Sequence, residues 1–286
     1  MKTTFSPISS PELFDHNLRC DRLRRYDASS DFLGDISQSS LMDRIAFIKR
    51  DFLSILLIGH YRQDFVESFP PGSVVHLPYL KDDALVDQLG QPHQWGHFDL
   101  IVANLNLHWV NDLPGMLWQI RSLLKPDGLF LGSFLGGETL RELKAAFLQA
   151  EMELLGGLSP RVIPMVDLYS ASQLLLRADF KLPVADRDTI TATYPSVTNL
   201  LHDLRKAGQT NVMQARHKSM CSRKLFQRVE ALYTQNHSLP DVQLPATFEI
   251  IYLTGWSYHE SQQKALKPGS AQLSLKSYLE TSPSNQ

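Results

Sequence analysis

The fold class follows from four successive segments, Phe98-Asp-Leu-Ile-Val-Ala-Asn104, Leu107-His-Trp-Val-Asn-Asp-Leu-Pro114, Leu124-Lys-Pro-Asp-Gly128 and Leu129-Phe-Leu-Gly-Ser-Phe134. Their pattern predicts a buried strand, a polar turn, an amphipathic helix, a tight turn and a second buried strand. That succession is typical of one half of an open α/β sheet, in which ligands bind outside the carboxyl ends of the strands. We therefore expect the segment from Asn104 to Asp112 to face a ligand.

The same pattern extends along the rest of the chain. Apolar runs predict a first strand at 52–58, a second from Val74 and a last one at 248–254, while 187–194 alternates like a further strand. Helices are expected in the N-terminal segment, over 82–90, after Asp112, from Leu140 to a glycine end at Gly156, and over 167–178, 196–207 and 216–236. The sequence thus predicts an α/β fold, a mostly parallel twisted sheet with helices on both faces.

Three regions are expected from these elements. Residues 1–50 are predicted to form a helical N-terminal segment, and residues 51–256 the α/β domain. Helices at about 196–236 are predicted to be inserted into this domain as a C-terminal lid. Residues 257–286 are predicted to form a polar tail.

Composition narrows the class of protein. The formal net charge of −2 over 286 residues argues against a dedicated nucleic-acid binder, which normally carries a basic excess. No apolar run reaches the roughly 18 residues that a membrane span needs, and residues 1–10 lack the pattern of a signal or transit peptide. Cys20 and Cys221 suit neither a disulfide framework nor a metal cluster. We expect a cytoplasmic protein without a transmembrane segment, with peripheral membrane association left open.

The strand at 98–103 and the segments at 107–114, 124–128 and 136–140 resemble class I S-adenosylmethionine-dependent methyltransferases of type 11. Three later segments narrow the resemblance: Gly156-Gly-Leu-Ser-Pro160, Ala207-Gly-Gln-Thr-Asn211, and Gly255-Trp-Ser-Tyr-His-Glu-Ser261 with Lys267-Pro-Gly-Ser-Ala271. They are similar to the complex I assembly-factor branch, which is related to the carrier-protein methyltransferases of the biotin pathway.

This resemblance implies a Rossmann-like fold, S-adenosylmethionine as the cofactor, and a protein client among the respiratory complex I subunits. Members of the branch are associated with hydroxylating an arginine of one such subunit. The resemblance also implies an alternative location, the matrix side of the inner mitochondrial membrane.

The loop after the first strand departs from the family pattern. Several glycines are expected there, because a nucleotide-type cofactor needs a close backbone approach. This chain has Gly59-His-Tyr-Arg-Gln-Asp64 instead, and the second strand ends in Val74-Val-His-Leu-Pro78 without the acid that would bind the ribose. The candidate cofactor-binding residues are therefore Gly59, His60, Arg62, Asp82, Asp83 and Asn104. The alternative for Asp82 and Asp83 is a solvated helix start, which is the more common reason for acidic residues in such a position.

His108 and Trp109 are the candidate catalytic residues, because they follow a strand end where ligands bind. The alternative is structural, with Trp109 packed under the next helix and His108 bonded to the backbone. No metal site is expected, since Pro92 and Gly96 argue against a helix that would align His93 with His97.

Two functions of different class remain open. One is a diverged enzyme that still binds S-adenosylmethionine through an altered loop. The other is a non-catalytic assembly factor, a pseudo-enzyme that binds a client subunit. An open pocket beside Asn104 would favour the first, and a pocket filled by Tyr61 or Arg62 the second. A dinucleotide oxidoreductase is disfavoured, because no Gly-x-Gly-x-x-Gly follows the first strand.

Overall fold

The computed structural model describes residues 12–80, 84–90, 96–241, 243–263 and 269–270. Within them a six-stranded sheet has the order β2-β1-β3-β4-β6-β5. Strands β1 to β4 are parallel, and β6 and β5 are antiparallel to their neighbours. The strands are β1 (Ile55–Ile58), β2 (Val74–Leu77), β3 (Phe98–Ala103), β4 (Leu124–Leu135), β5 (Lys181–Tyr194) and β6 (Leu244–Trp256). The predicted α/β fold with a mostly parallel sheet is confirmed.

Helices cover both faces of this sheet. Those described are α1 (His16–Leu23), α2 (Phe32–Ala46), α3 (Gln63–Glu67), α4 (Leu85–Leu89), α5 (Leu113–Leu123), α6 (Arg141–Leu155), α7 (Leu168–Arg177), α8 (Val197–Lys206) and α9 (Arg223–His237). One core cluster joins α2, α6, α8 and α9 to the sheet, and a second joins α4, α5 and α7 to the opposite face. Parallel strands need this cover, because both of their faces are apolar.

Local signals set several boundaries where the sequence predicts them. The carboxylate of Asp112 accepts a hydrogen bond from the Gly115 N–H at 2.9 Å, so it caps the start of α5. Pro114 lies in the first turn of that helix, where a missing N–H costs nothing. Gly156 ends α6 with a φ of 65°, which a glycine adopts without strain.

The segment Lys125–Gly128 differs from its predicted tight turn. It continues β4, which begins at Leu124 and pairs there with Phe98 of β3. The register shifts between Phe98 and Leu100, so an irregularity in the pairing absorbs the extra residues without ending the strand. The predicted first strand is shorter than expected, because its pairing with β2 and β3 begins at Ile55.

The outer helices pack in different ways. α9 lies against α6 and β6 and buries Leu225, Val229, Leu232 and Tyr233. α8 contacts β5 and, at Leu201 and Leu204, borders a cavity at the strand ends. α2 buries Leu33 and Leu41 in the same core. The division into an N-terminal segment, an α/β domain with a lid and a tail stays a prediction.

Candidate functional site

The ends of β1, β2 and β3 meet where the sequence predicts a ligand. The N–H of Gly59 donates to the carbonyl of Leu77, and the N–H of Asn104 donates to the carbonyl of Ile58, each at 2.8 Å. Backbone pairing therefore extends one residue beyond β1 and β3. The predicted residues Gly59, His60 and Asn104 are brought together at this edge.

Gly59 is required by its own protein backbone. Its φ is 113°, and a Cβ built on it would lie 2.3 Å from the carbonyl oxygen of Asn104. Real Cβ atoms essentially never approach another heavy atom within 3.0 Å. The glycine therefore allows the backbone of Asn104 to approach closely. In the family pattern, glycines at this position allow a cofactor to approach.

Tyr61 turns back into the sheet. Its hydroxyl donates to the carbonyl of Val102 at 2.9 Å and lies 3.2 Å from that of Ile58. Its ring stacks on Phe65 with centroids 4.8 Å apart. Burial raises the pKa of the Tyr61 hydroxyl well above its usual value, so the group stays protonated and remains a donor. The hydroxyl therefore lies beside backbone carbonyls near the ends of β1 and β3.

His60 and Arg62 point to opposite environments. The imidazole of His60 lies against Tyr26 with ring centroids 3.9 Å apart, and burial lowers its pKa to about 4. Arg62 is exposed and forms ion pairs with Asp64 at 3.1 Å and Asp35 at 3.5 Å. The structure therefore brings His60 into the predicted site and leaves Arg62 on the surface beside it.

His76 stands near the end of β2, where the family places an acid. Its Nε2 lies 2.7 Å from the carbonyl oxygen of Gly59. This nitrogen is thus engaged with the loop of β1. The other two acidic candidates, Asp82 and Asp83, lie outside the described residues.

Asn104 is buried, and both the nitrogen and the oxygen of its side chain form hydrogen bonds. Its Nδ2 donates to the carbonyl of His60 at 3.0 Å, and its Oδ1 accepts from the Ser133 hydroxyl at 3.1 Å. The Ser133 oxygen in turn accepts from the Ser37 hydroxyl at 2.7 Å and from the Leu105 N–H at 3.1 Å. This network ties β3 to β4 and to α2.

His108 and Trp109 share one partner that sequence reasoning missed. The Oε1 of Gln209 lies 2.9 Å from His108 Nε2 and 3.1 Å from Trp109 Nε1. The Nδ1 of His108 accepts from the Leu135 N–H at 3.4 Å, so the network assigns the ring proton to Nε2. Burial lowers the pKa of His108 to about 3 and keeps it neutral. Gln209 lies in the segment Ala207–Asn211, which carries part of the family resemblance. That resemblance was the one signal in the sequence that pointed to this residue.

Arg19 is a second group that the sequence did not reveal. Its guanidinium carbon lies 4.8 Å from the centroid of the Trp109 ring. The side chain is buried, and its Nε and Nη1 atoms have no hydrogen-bond partner among the residues that the structure describes. Burial lowers its pKa to about 9. This cation also favours the neutral forms of His60 and His108, whose pKa values it lowers.

Two cavities adjoin these residues. The smaller one has a volume of about 20 Å³ and is lined by residues including Arg19, His60 and Asn104. The larger one, of about 440 Å³, lies on the other side of Trp109 and Gln209. The small cavity has room for about one water molecule and none for the amino-acid part of S-adenosylmethionine. The described residues of this loop therefore do not fit that cofactor in the mode that a glycine-rich loop provides.

The described part of the chain contains no group of three or more His, Cys, Asp or Glu side chains placed to hold a metal ion. It also contains no helix that is long and apolar enough to span a membrane.

The strand order and the helices on both faces of the sheet define the fold of a class I S-adenosylmethionine-dependent methyltransferase. A family model described as a methyltransferase domain matches residues 74–132. The chain is 32% identical over 296 residues to arginine-hydroxylase NDUFAF5, mitochondrial, of Danio rerio, covering 95% of this chain and 91% of that protein. The chain belongs to the NDUFAF5 family. The predicted resemblance is confirmed.

Two further known proteins are similar to this chain. Malonyl-[acyl-carrier protein] O-methyltransferase of Xylella fastidiosa is 36% identical over 159 residues, covering 56% of this chain and 52% of that protein. Among solved structures, 1,6-didemethyltoxoflavin-N1-methyltransferase of Burkholderia thailandensis aligns with a TM-score of 0.43 and 15% identity, covering 90% of this chain and 94% of that one.

Proposed function

We propose that this chain is an assembly factor that binds a protein client, a subunit of respiratory complex I. Membership of the NDUFAF5 family supports this role, together with the segments at 156–160, 207–211 and 255–261 that carry the resemblance. The relatives' name includes the word mitochondrial. We propose that the chain works where its client is assembled, on the matrix face of the inner mitochondrial membrane or, in a cell without that organelle, in the cytoplasm.

We further propose that it does so without S-adenosylmethionine bound in the usual mode. The observation that carries this proposal is the Tyr61 side chain, whose hydroxyl bonds to the carbonyl of Val102 near the ends of β1 and β3. Contacts within the protein support it. Gly59 packs closely against the backbone of Asn104, His76 contacts the carbonyl of Gly59, and Asn104 donates to the carbonyl of His60. These contacts engage the backbone that a cofactor would otherwise approach. The pseudo-enzyme alternative is thereby favoured over a diverged methyltransferase.

The roles that we propose for His108 and Trp109 are structural. A general base must have a nitrogen free to take up a proton, and both ring nitrogens of His108 have partners. Trp109 donates its ring N–H to Gln209 and packs edge-on against Phe14, with centroids 5.5 Å apart. Together these contacts hold the segment before α1 and the segment after α8 against the end of β3.

A second candidate function is the arginine hydroxylation that the relatives' name describes. The cavity of about 440 Å³ beside Trp109 favours an enzyme, because its size is that of a small-molecule site. Mass spectrometry of the complex I subunits, with and without the gene, distinguishes the two candidates. An oxygen added to an arginine only when the gene is present would establish the enzyme.

Calorimetric titration with S-adenosylmethionine and S-adenosylhomocysteine tests the cofactor proposal. We expect no binding at millimolar ligand, while the Xylella fastidiosa methyltransferase, titrated in parallel, serves as the positive control. Binding near micromolar affinity, about −8 kcal/mol, would overturn the proposal and establish a working cofactor site.

Deletion of the gene tests the assembly role separately. We expect membranes of the deletion strain to lose NADH:quinone oxidoreductase activity and to regain it when the gene is restored. Unchanged activity and an unchanged amount of assembled complex I would refute the role, whatever the titration shows.

A further inference from the structure

The cavity beside Trp109 has an apolar interior. Its volume of about 440 Å³ lies in the range typical of small-molecule sites. The apolar wall comes from β4, α6 and α8, and it includes Leu135, Leu143, Phe147 and Leu204, which are all buried. A ligand body that is aliphatic or aromatic is favoured there, because it removes apolar surface from water.

The rim of the same cavity is strongly basic. It is lined by Arg22, Arg161, Arg205, Arg216 and Lys218, and none of the described residues that line it is an aspartate or a glutamate. These cations come from separate elements, namely α1, the segment after α6, α8 and the segment before α9. The fold therefore gathers positive charge at one opening.

Among the residues that the structure describes, only one of these charges has a close carboxylate partner. Arg161 pairs with Glu151 at 2.7 Å. Arg22 donates to the backbone carbonyl of Asn211, and Arg216 to that of Met213 at 2.9 Å. A carbonyl satisfies a donor without neutralising its charge, so the rim keeps a net positive charge.

Repulsion by neighbouring cations affects the pKa of Arg22. Burial lowers the pKa of its guanidinium, and the like charges of Arg216, Arg25 and Arg205 lower it further. Asp15 acts in the opposite direction, with a smaller effect than any of these three. An anion placed at the rim would relieve this repulsion and gain charge-assisted hydrogen bonds.

We propose that this cavity binds a small amphipathic anion, a carboxylate or phosphate monoester head on an apolar body. The head lies at the rim formed by Arg22, Arg205, Arg216 and Lys218, and the body lies along the apolar wall. The proposal does not depend on the client proposed above. It also implies that an arginine side chain does not enter this cavity, because the rim repels a guanidinium.

Calorimetric titration of the full chain with decanoate, decyl phosphate, decylamine and decanol tests the proposal below their aggregation concentrations. We expect the two anions to bind and the amine and the alcohol to bind at least about tenfold more weakly. The stronger of the two anions identifies the head group, a carboxylate or a phosphate. N-acetyl-arginine amide is expected not to bind.

The rim is tested by R205E/K218E, since both side chains are exposed and their replacement leaves the core intact. We expect binding of the anions to weaken at least about tenfold. The matched control is K49E/R177E, which makes the same charge change at exposed residues away from the cavity and should leave binding unchanged. Circular dichroism melts establish that both variants fold.

Three results would overturn the proposal. One is that neither decanoate nor decyl phosphate binds at millimolar concentration. Another is equal binding of decylamine or decanol, which would show an apolar site without charge selection. The third is equal weakening in R205E/K218E and K49E/R177E, which would assign the effect to net charge alone.

Discussion

Replacement of Gly59 by alanine tests why a glycine stands at the end of β1. We expect G59A to lower the free energy of unfolding by about 3 kcal/mol or more. Holding a non-glycine residue at its φ of 113° costs on the order of 1–3 kcal/mol. The new Cβ would also lie 2.3 Å from the carbonyl oxygen of Asn104, and overpacking of this kind costs about 1–3 kcal/mol. That oxygen belongs to the backbone and cannot rotate away.

The matched control is G72A. Gly72 also has a positive φ, 78°, but a Cβ there would meet no heavy atom within 4 Å. This variant carries the conformational cost alone, about 1–2 kcal/mol. The difference between the two variants therefore measures the contact with Asn104 together with any extra conformational cost of the larger φ at Gly59.

Urea unfolding followed by circular dichroism measures both variants against the unchanged protein at one pH and temperature. The slope m must stay constant for the midpoints to report stability. A loss in G59A within about 0.5 kcal/mol of that in G72A would refute the reasoning. The glycine would then need another explanation, such as the approach of a ligand.

Two further predictions concern buried titratable groups. Burial holds the pKa of His108 at about 3, below its usual 6.5, so the unfolded chain binds a proton that the folded chain does not. Stability is therefore fully present above pH 6.5 and falls by up to about 1.4 kcal/mol per pH unit below it. Urea unfolding midpoints at pH 7.5, 6 and 5 should show this loss of stability. The variant H108Q should reduce the pH dependence to the part due to His60. An unchanged pH dependence in H108Q would contradict the buried, neutral state of His108. R19M should leave the free energy of unfolding unchanged or raise it by about 1 kcal/mol, because the buried guanidinium lacks partners at Nε and Nη1. A loss above about 2 kcal/mol in urea unfolding would show that Arg19 holds a compensating group.

Much of the fold was readable from local patterns. The apolar run at 98–103 became β3 with the predicted bounds, and Asp112 and Gly156 cap the helices that their residue types predict. The length of β4 was not readable, because whether Lys125–Gly128 turns or continues depends on pairing with Phe98 on another strand.

The candidate site was readable only in part. Parallel strands align their carboxyl ends, so the meeting of Gly59, His60 and Asn104 followed from strand order. The direction of the Tyr61 side chain did not follow. Its hydroxyl bonds to Val102, which is 41 residues away along the chain.

The sequence by itself determined the family, the α/β architecture and the departure of the 59–64 loop from a glycine-rich pattern. These properties rest on residue type and spacing, which are local. Only the tertiary structure decided that Gln209 joins His108 to Trp109, and that cations from separate elements gather at one cavity. The physical reason is that a side chain's partners, burial and charge environment depend on segments that are far apart along the chain and come together only on packing. The distances between such segments cannot be read from a single sequence.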